Sequence, residues 1–214
     1  MTILEEISEN LQNGKAKEVK ALCEQALAEG IPAADILNKG LLEGMGVIGI
    51  KFRNNEVFVP EVLIAARAMN KGTAVLIPYL KDGSIQNSGT VVIGTVKGDL
   101  HDIGKNLCKT MMEGKGLNVI DLGADVAPET FIESARENNA DIIACSALLT
   151  TTMVEMKNVV DLLKASDLSG KVRIMIGGAP VTQAFCDEIG ADCYTQDAAS
   201  AAEKACEMCA STVF

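Results

Sequence analysis

Between residues 82 and 89 the hydrophobic period of this sequence changes, and the change restricts the fold to two unlike parts. Beyond it, short β-branched runs recur: Thr90 to Val96, Leu117 to Leu122, Asp141 to Ser146, Val172 to Ile176 and a weaker Ala191 to Thr195. Helical patterns lie between and after them, at Gly104 to Gly116, Pro128 to Asn138, Thr151 to Ser166, Pro180 to Ile189 and Ala198 to Ala210. Strands that alternate with helices in this way are joined in parallel by right-handed crossovers. Residues 90–214 are therefore expected to form an α/β domain, a flavodoxin-like (Rossmann-like) five-stranded parallel sheet with helices on both faces.

Before the change the pattern is helical, in pieces separated by breakers. Ile3, Leu4, Ile7 and Leu11 mark a first helix that stops near Asn13-Gly14, and Val19, Leu22, Cys23, Ala26 and Leu27 mark a second that ends at Gly30. Pro32 suits the first turn of a third, running through Leu41 and Ile48 to Phe52, and Pro60 opens a fourth that ends around Leu80. Four helices with short connections predict a small N-terminal four-helix bundle over residues 1–82. The polar, glycine-bearing segment 83–89 reads as a linker.

Composition narrows the function classes. Nineteen Lys plus Arg against 29 Asp plus Glu give a net charge of -10, so a nucleic-acid backbone would be repelled. With no Trp and two Tyr, a stacking platform for bases is not expected either. No apolar run approaches the roughly 20 residues of a membrane span, and MTILEEISEN has no basic-then-apolar leader, which predicts a cytoplasmic protein without a membrane partner. Seven scattered cysteines read as reduced thiols, and the lone C-x-x-C of Cys206 and Cys209 as ordinary helix residues.

In an open parallel sheet, ligands bind at the carboxyl ends of the strands near the point where strand order reverses. The first such end is followed by Lys97-Gly98-Asp99-Leu100-His101-Asp102-Ile103-Gly104-Lys105-Asn106, the third by Ser146 to Thr152, and the fourth by Gly177-Gly178. The first loop fails as a P-loop, because five residues separate Gly98 from Gly104 and Lys105 is followed by Asn106. The dinucleotide fingerprint is absent at this turn as well. A phosphoacceptor domain would want an Asp where this chain has Ser146. What remains is the chain's one histidine, two residues after an Asp. It reads either as an ordinary polar loop residue or as a metal ligand whose second nitrogen is held by the carboxylate. One imidazole cannot hold a bare ion, so a metal would have to arrive with most of its coordination filled, as in a macrocycle.

Gly98-Asp99-Leu100-His101-Asp102-Ile103-Gly104 resembles the D-x-H-x-x-G signature of cobalamin (corrinoid)-binding proteins of methyltransferase systems. The Ser146 loop and the Gly177-Gly178 turn match that family's later elements in order and spacing. Phe52, Val59-Pro60-Glu61-Val62 and Ala65 to Met69 are similar to the cap that accompanies the B12-binding module in methionine synthase and in stand-alone corrinoid proteins. The resemblance covers nearly the whole chain.

It implies a cobalamin cofactor, methylcobalamin in the loaded state, with His101 as the lower axial ligand of cobalt. Asp99 would hold the other imidazole nitrogen and Thr152, where Ser is frequent, would hold Asp99 in a proton relay. Ser146 and Gly104 would line the slot for the displaced nucleotide tail, with Gly177 and Gly178 near its far end, where missing side chains leave room. Gly98, Asp102, Ile103, Leu148 and Thr150 complete the implied cofactor contacts. Phe52, Val59 and Val62 are either an apolar lid over the methyl group or ordinary bundle core.

The implied activity is that of a methyl carrier in one-carbon metabolism. It would take a methyl group from a methylamine, methanol or methoxylated aromatic through a substrate-specific methyltransferase. It would pass that group to tetrahydrofolate or a thiol coenzyme through an acceptor methyltransferase, with a reductive activator as a third partner. A cobalamin-sensing regulator would need a basic output element, which this acidic chain lacks, and a small subunit of an adenosylcobalamin mutase would lack the cap.

Overall fold

The computed structural model describes residues 1–80 and 89–211, so that residues 83–88 of the expected linker lie outside the described residues. The chain divides into two compact units. In the first, α1 (Ile3–Gln12) begins with a capping box: the Thr2 hydroxyl accepts from the Glu5 amide, and the Glu5 carboxylate accepts from the Thr2 amide. α2 (Ala16–Ala28) follows. The third helical segment is continuous but not uniform. It opens as α3 (Ala33–Asp35), widens into a π-helical stretch (Ile36–Leu42) and continues as α4 (Glu43–Arg53).

Sequence periodicity predicts one plain helix here, because the spacing of apolar residues senses the buried face and not the length of the backbone hydrogen bonds. The same segment carries glycines where α1 passes close by. A Cβ on Gly40 would lie 3.0 Å from Ile7, and one on Gly44 would lie 3.1 Å from the Ser8 backbone. α5 (Val59–Leu76) has Pro60 in its first turn and ends in a short 3-10 turn (Ile77–Tyr79). Ile7, Leu11, Val19, Cys23, Ile36, Leu41, Met45, Ile48, Val62 and Leu76 are buried as the core.

In the second unit β1 (Thr90–Thr95), β2 (Asn118–Asp121), β3 (Ile142–Ser146), β4 (Arg173–Gly177) and β5 (Cys193–Tyr194) form one sheet in the order β2-β1-β3-β4-β5. Every pairing is parallel, as the alternation predicts. The connecting helices are α6 (Ile103–Glu113), α7 (Pro128–Glu137), α8 (Met153–Ala165), α9 (Gln183–Ile189) and α10 (Ala198–Ala210). On one face Val92, Ile143, Ile174 and Ile176 meet Phe131, Val159 and Val160. Val91, Ile93, Ile142 and Met175, the alternate residues, are buried toward the other face, where α6 and α10 pack together. Burial on both faces explains why β1 shows no alternation of charged and apolar residues.

Register places the functional loops. Thr95 pairs with Ser146, and Ser146 with Gly177, so the carboxyl ends of β1, β3 and β4 stand side by side. Among the described residues, no helix is long and apolar enough to cross a membrane.

Gly94 is where this sheet tolerates no side chain. A Cβ there would lie 2.8 Å from the ring of Phe131, which is fully buried. Gly94→Ala is expected to overpack the core and destabilise the protein by about 1–3 kcal/mol, read as a lower urea midpoint at unchanged m-value.

Candidate cofactor site

The site begins in the turn that leaves β1. The Asp99 amide donates to the Val96 carbonyl at 3.1 Å, and Gly98, third residue of that turn, has φ +79, a conformation that glycine adopts without steric cost. The buried Thr95 hydroxyl donates to the His101 carbonyl at 2.9 Å, and α6 starts two residues later. Asp99 is thereby turned inward, fully buried, while the His101 side chain two residues on stays 52% exposed.

Five donors converge on the Asp99 carboxylate. Oδ1 accepts from the His101 amide at 3.1 Å and from His101 Nδ1 at 2.7 Å. Oδ2 accepts from the amides of Leu148 and Leu149, at 2.8 and 3.1 Å, and from the Thr152 hydroxyl at 2.9 Å. Burial by itself pushes the Asp99 pKa up. The hydrogen bonds from Leu148, His101 and Thr152 outweigh it and hold the carboxyl well below the usual carboxylate range.

An ionised carboxylate only accepts, so the hydrogen of the neutral imidazole sits on Nδ1 and the lone pair on Nε2. This is the tautomer a metal needs, and it is held by the arrangement that raises ligand basicity. Thr152 has a second acceptor in reach, the Leu149 carbonyl at 2.9 Å, which holds the hydroxyl on the β3–α8 loop.

Around His101 lies an apolar rim. Leu100 and Ile103 are 76% and 77% exposed, and Leu148 and Leu149 also keep much of their surface. Thr150 is exposed beside them, and Ser146, half-buried at the end of β3, accepts from the Val96 amide at 3.0 Å. Asp102 is occupied with the first turn of α6, its carboxylate accepting from the Asn106 side chain at 3.0 Å. Gly104 faces open space where a Cβ would stand.

Gly178 differs from the expectation that its missing side chain leaves room for a ligand. It has φ +137, and a Cβ there would fall 1.8 Å from the Ala147 carbonyl oxygen, so backbone takes that space and the glycine joins the loops after β3 and β4. A Cβ on Gly177 would make ordinary contact, 3.4 Å from the Thr195 carbonyl. In the helical unit Phe52 and Val59 keep part of their surface, whereas Val62 is fully buried; of the two readings of Val62, core is the one its burial matches.

Sequence reasoning missed Leu149 and Leu100. Leu149 acts through its amide, and a side-chain reading does not see backbone donors; Leu100 carried a weak signal as an apolar residue between Asp99 and His101. It also missed what Lys105 does. This lysine is buried, and its ammonium donates to Asn106 at 2.7 Å and to Asp121 at 2.5 Å, tying the start of α6 to the end of β2. Burial raises the Asp121 pKa, and the Lys105 hydrogen bond and charge override that effect and lower it. Among the described residues no group of three or more His, Cys, Asp or Glu is set to hold a metal ion.

Two family models, both described as B12 binding domain, match the chain, one over residues 89–206 and one over residues 3–77. The chain belongs to the B12-binding corrinoid proteins. It is 44% identical over 209 residues to the dimethylamine corrinoid protein of Methanosarcina barkeri, covering 97% of this chain and 98% of that one. A corrinoid protein of Desulfitobacterium hafniense is 38% identical over 208 residues, covering 96% of each chain. Among solved structures, a chain of the methanol:cobalamin methyltransferase complex MtaBC from M. barkeri superposes with a TM-score of 0.89 at 29% identity, over 97% of this chain and 80% of that one.

Cobalamin is accordingly the cofactor of this corrinoid protein, and the donor set fits it. A single Nε2, with Nδ1 committed to a buried carboxylate, would add one protein ligand to a metal whose other ligands come with the macrocycle.

Asp99→Asn would turn an NH2 group toward N–H donors, leaving about 1–3 kcal/mol of cost for each donor orphaned. Because the folded pKa lies below the unfolded value of about 3.9, the stability from ionised Asp99 is complete above that value and is lost as pH falls through the folded pKa. Urea unfolding of the cofactor-free proteins should therefore show a gap between wild type and Asp99→Asn that is fully present at about pH 5 and narrows below about pH 4. A gap that widens below about pH 4 would contradict the assigned hydrogen bonds.

Proposed function

We propose that this protein is a methyl carrier: it receives a methyl group from a methylamine-class donor at one methyltransferase and delivers it to an acceptor at a second. The observation that carries the reading is His101, its Nδ1–H held at 2.7 Å by a buried, ionised Asp99 and its Nε2 turned outward. The likeness to dimethylamine corrinoid proteins supports the donor class. A relative within a methyltransferase complex supports the partner class.

When bound, cobalamin supplies the bond-making and bond-breaking at cobalt. The protein's residues orient and tune it. His101 Nε2 would hold the metal, and Asp99 fixes the ring's direction and strengthens it as a donor. A proton taken up at Nε2 would reside on the imidazole and not on Asp99, since the five donors keep Asp99 ionised. Metal and proton compete for one lone pair, so ligation strengthens as pH rises. Thr152 steadies Asp99 from behind. The exposed Leu100, Ile103, Leu148 and Leu149 offer an apolar seat around the imidazole.

Protein reconstituted with hydroxocobalamin is expected to take up one equivalent in the base-off, histidine-on form. Electron paramagnetic resonance of the cobalt(II) state, with nitrogen-15 histidine, reads the axial nitrogen directly; a dimethylbenzimidazole coupling in its place would overturn the role of His101.

Thr152→Ala removes one outer hydrogen bond worth about 0.5–1.5 kcal/mol, and should lower the histidine-on fraction less than Asp99→Asn does. With a methylamine-specific and an acceptor methyltransferase added, methyl transfer should depend on all three proteins. Transfer by this protein alone at a comparable rate would make it an enzyme in its own right, and transfer with a methanol-specific partner only would overturn the donor class.

A further inference from the structure

The loop that follows β2 grips the loop that carries His101, and one residue makes the grip. Asp125 has φ +56, a left-handed backbone that non-glycine residues rarely adopt, although Asp tolerates it better than most. In that conformation its amide donates to the Asp99 carbonyl at 3.0 Å while its carboxylate accepts from the Gly98 amide at 2.7 Å. The two peptide groups held in this way lie on either side of Gly98-Asp99, and the Asp99 amide is itself tied back to Val96.

Asp125 stands on a rigid frame. The Thr95 amide donates to the Gly123 carbonyl, the Val126 amide donates to the Thr95 carbonyl, and Val96 pairs with Val126 in a parallel bridge. Unfavourable backbone conformations persist where their surroundings over-determine them, and such sites cluster around function. Gly would hold the left-handed turn at no steric cost, and it would leave the Gly98 amide without the charged acceptor.

We propose that Asp125 is the positioning residue of the axial ligand. By holding the peptides on either side of Gly98-Asp99 it sets where Oδ1 points, and Oδ1, through the Nδ1 hydrogen bond, sets the direction of His101 Nε2. This inference rests on the reading of His101 as the cobalt ligand, but its first consequence belongs to the cofactor-free protein.

The chain has one histidine, so nitrogen-15 histidine labelling yields a single imidazole to follow. In wild type the Nδ1 proton should be shifted downfield and protected from exchange, and the Gly98 amide should exchange slowly although its residue is exposed. Asp125→Gly keeps the backbone conformation and removes the carboxylate. In the cofactor-free protein it should speed exchange of the Nδ1 proton by about tenfold, the loss expected for one charge-assisted hydrogen bond. Asp125→Asn retains an acceptor and should stay close to wild type.

After reconstitution with hydroxocobalamin and reduction to cobalt(II), Asp125→Gly should still take up cobalamin but show a smaller histidine-nitrogen coupling fraction. An Nδ1 proton unchanged in Asp125→Gly would overturn the proposal. If that variant does not fold, a Gly98 amide in wild type that exchanges as fast as an open turn would overturn it equally. Loosened imidazole in the cofactor-free variant, with no histidine coupling even in reconstituted wild type, would leave the grip in place and reject His101 as the ligand.

Discussion

A carboxylate taken out of water is stable only if its oxygens are fully served, and Asp99 depends on that condition. Its donors come from three places: its own loop, the imidazole two residues on, and the loop after β3, nearly fifty residues away in sequence. No one segment could ionise it in the interior. Because they converge, the charge is held firmly, and the charge in turn decides which imidazole nitrogen carries the hydrogen. The lone pair that faces outward is a consequence of this buried interaction.

The convergence is a product of sheet register. Adjacent parallel strands β1 and β3 end at the paired residues Thr95 and Ser146, which brings the Asp99 loop against the amides of Leu148 and Leu149. The order β2-β1-β3-β4-β5 places the reversal between β1 and β3, the position at which open parallel sheets bind their ligands. Glycines refine this geometry at close quarters. Gly98 allows the turn that buries Asp99, and Gly178 lets the β4 loop meet the Ala147 carbonyl.

Much of the fold was legible because its signals are periodic. Apolar spacing separated the helical unit from the sheet unit, and the described strands fall within a residue or two of the β-branched runs that mark them. The π-helical stretch at Ile36–Leu42 was not legible, since a wider helix can keep the same apolar face. At the site, Asp99, His101 and Thr152 could be named from their chemistry and likeness to a motif. Lys105 entered the sequence reading only as the lysine of a failed phosphate loop, yet it is buried against Asp121, because a lysine with its charge paired can lie in the interior.

By itself the sequence determined the two units, the parallel sheet, the imidazole two residues from a carboxylate, and the cofactor family that this motif resembles. These follow from local spacing and residue type, which are properties of the chain before it folds. Tertiary structure alone decided that Asp99 is buried and ionised, that Nε2 faces outward, that the Leu149 amide donates to Asp99 and that Asp125 holds the peptides on either side of Gly98-Asp99. Those properties depend on backbone amides and carbonyls, which every residue carries alike, and only strand register and loop closure decide which of them meet.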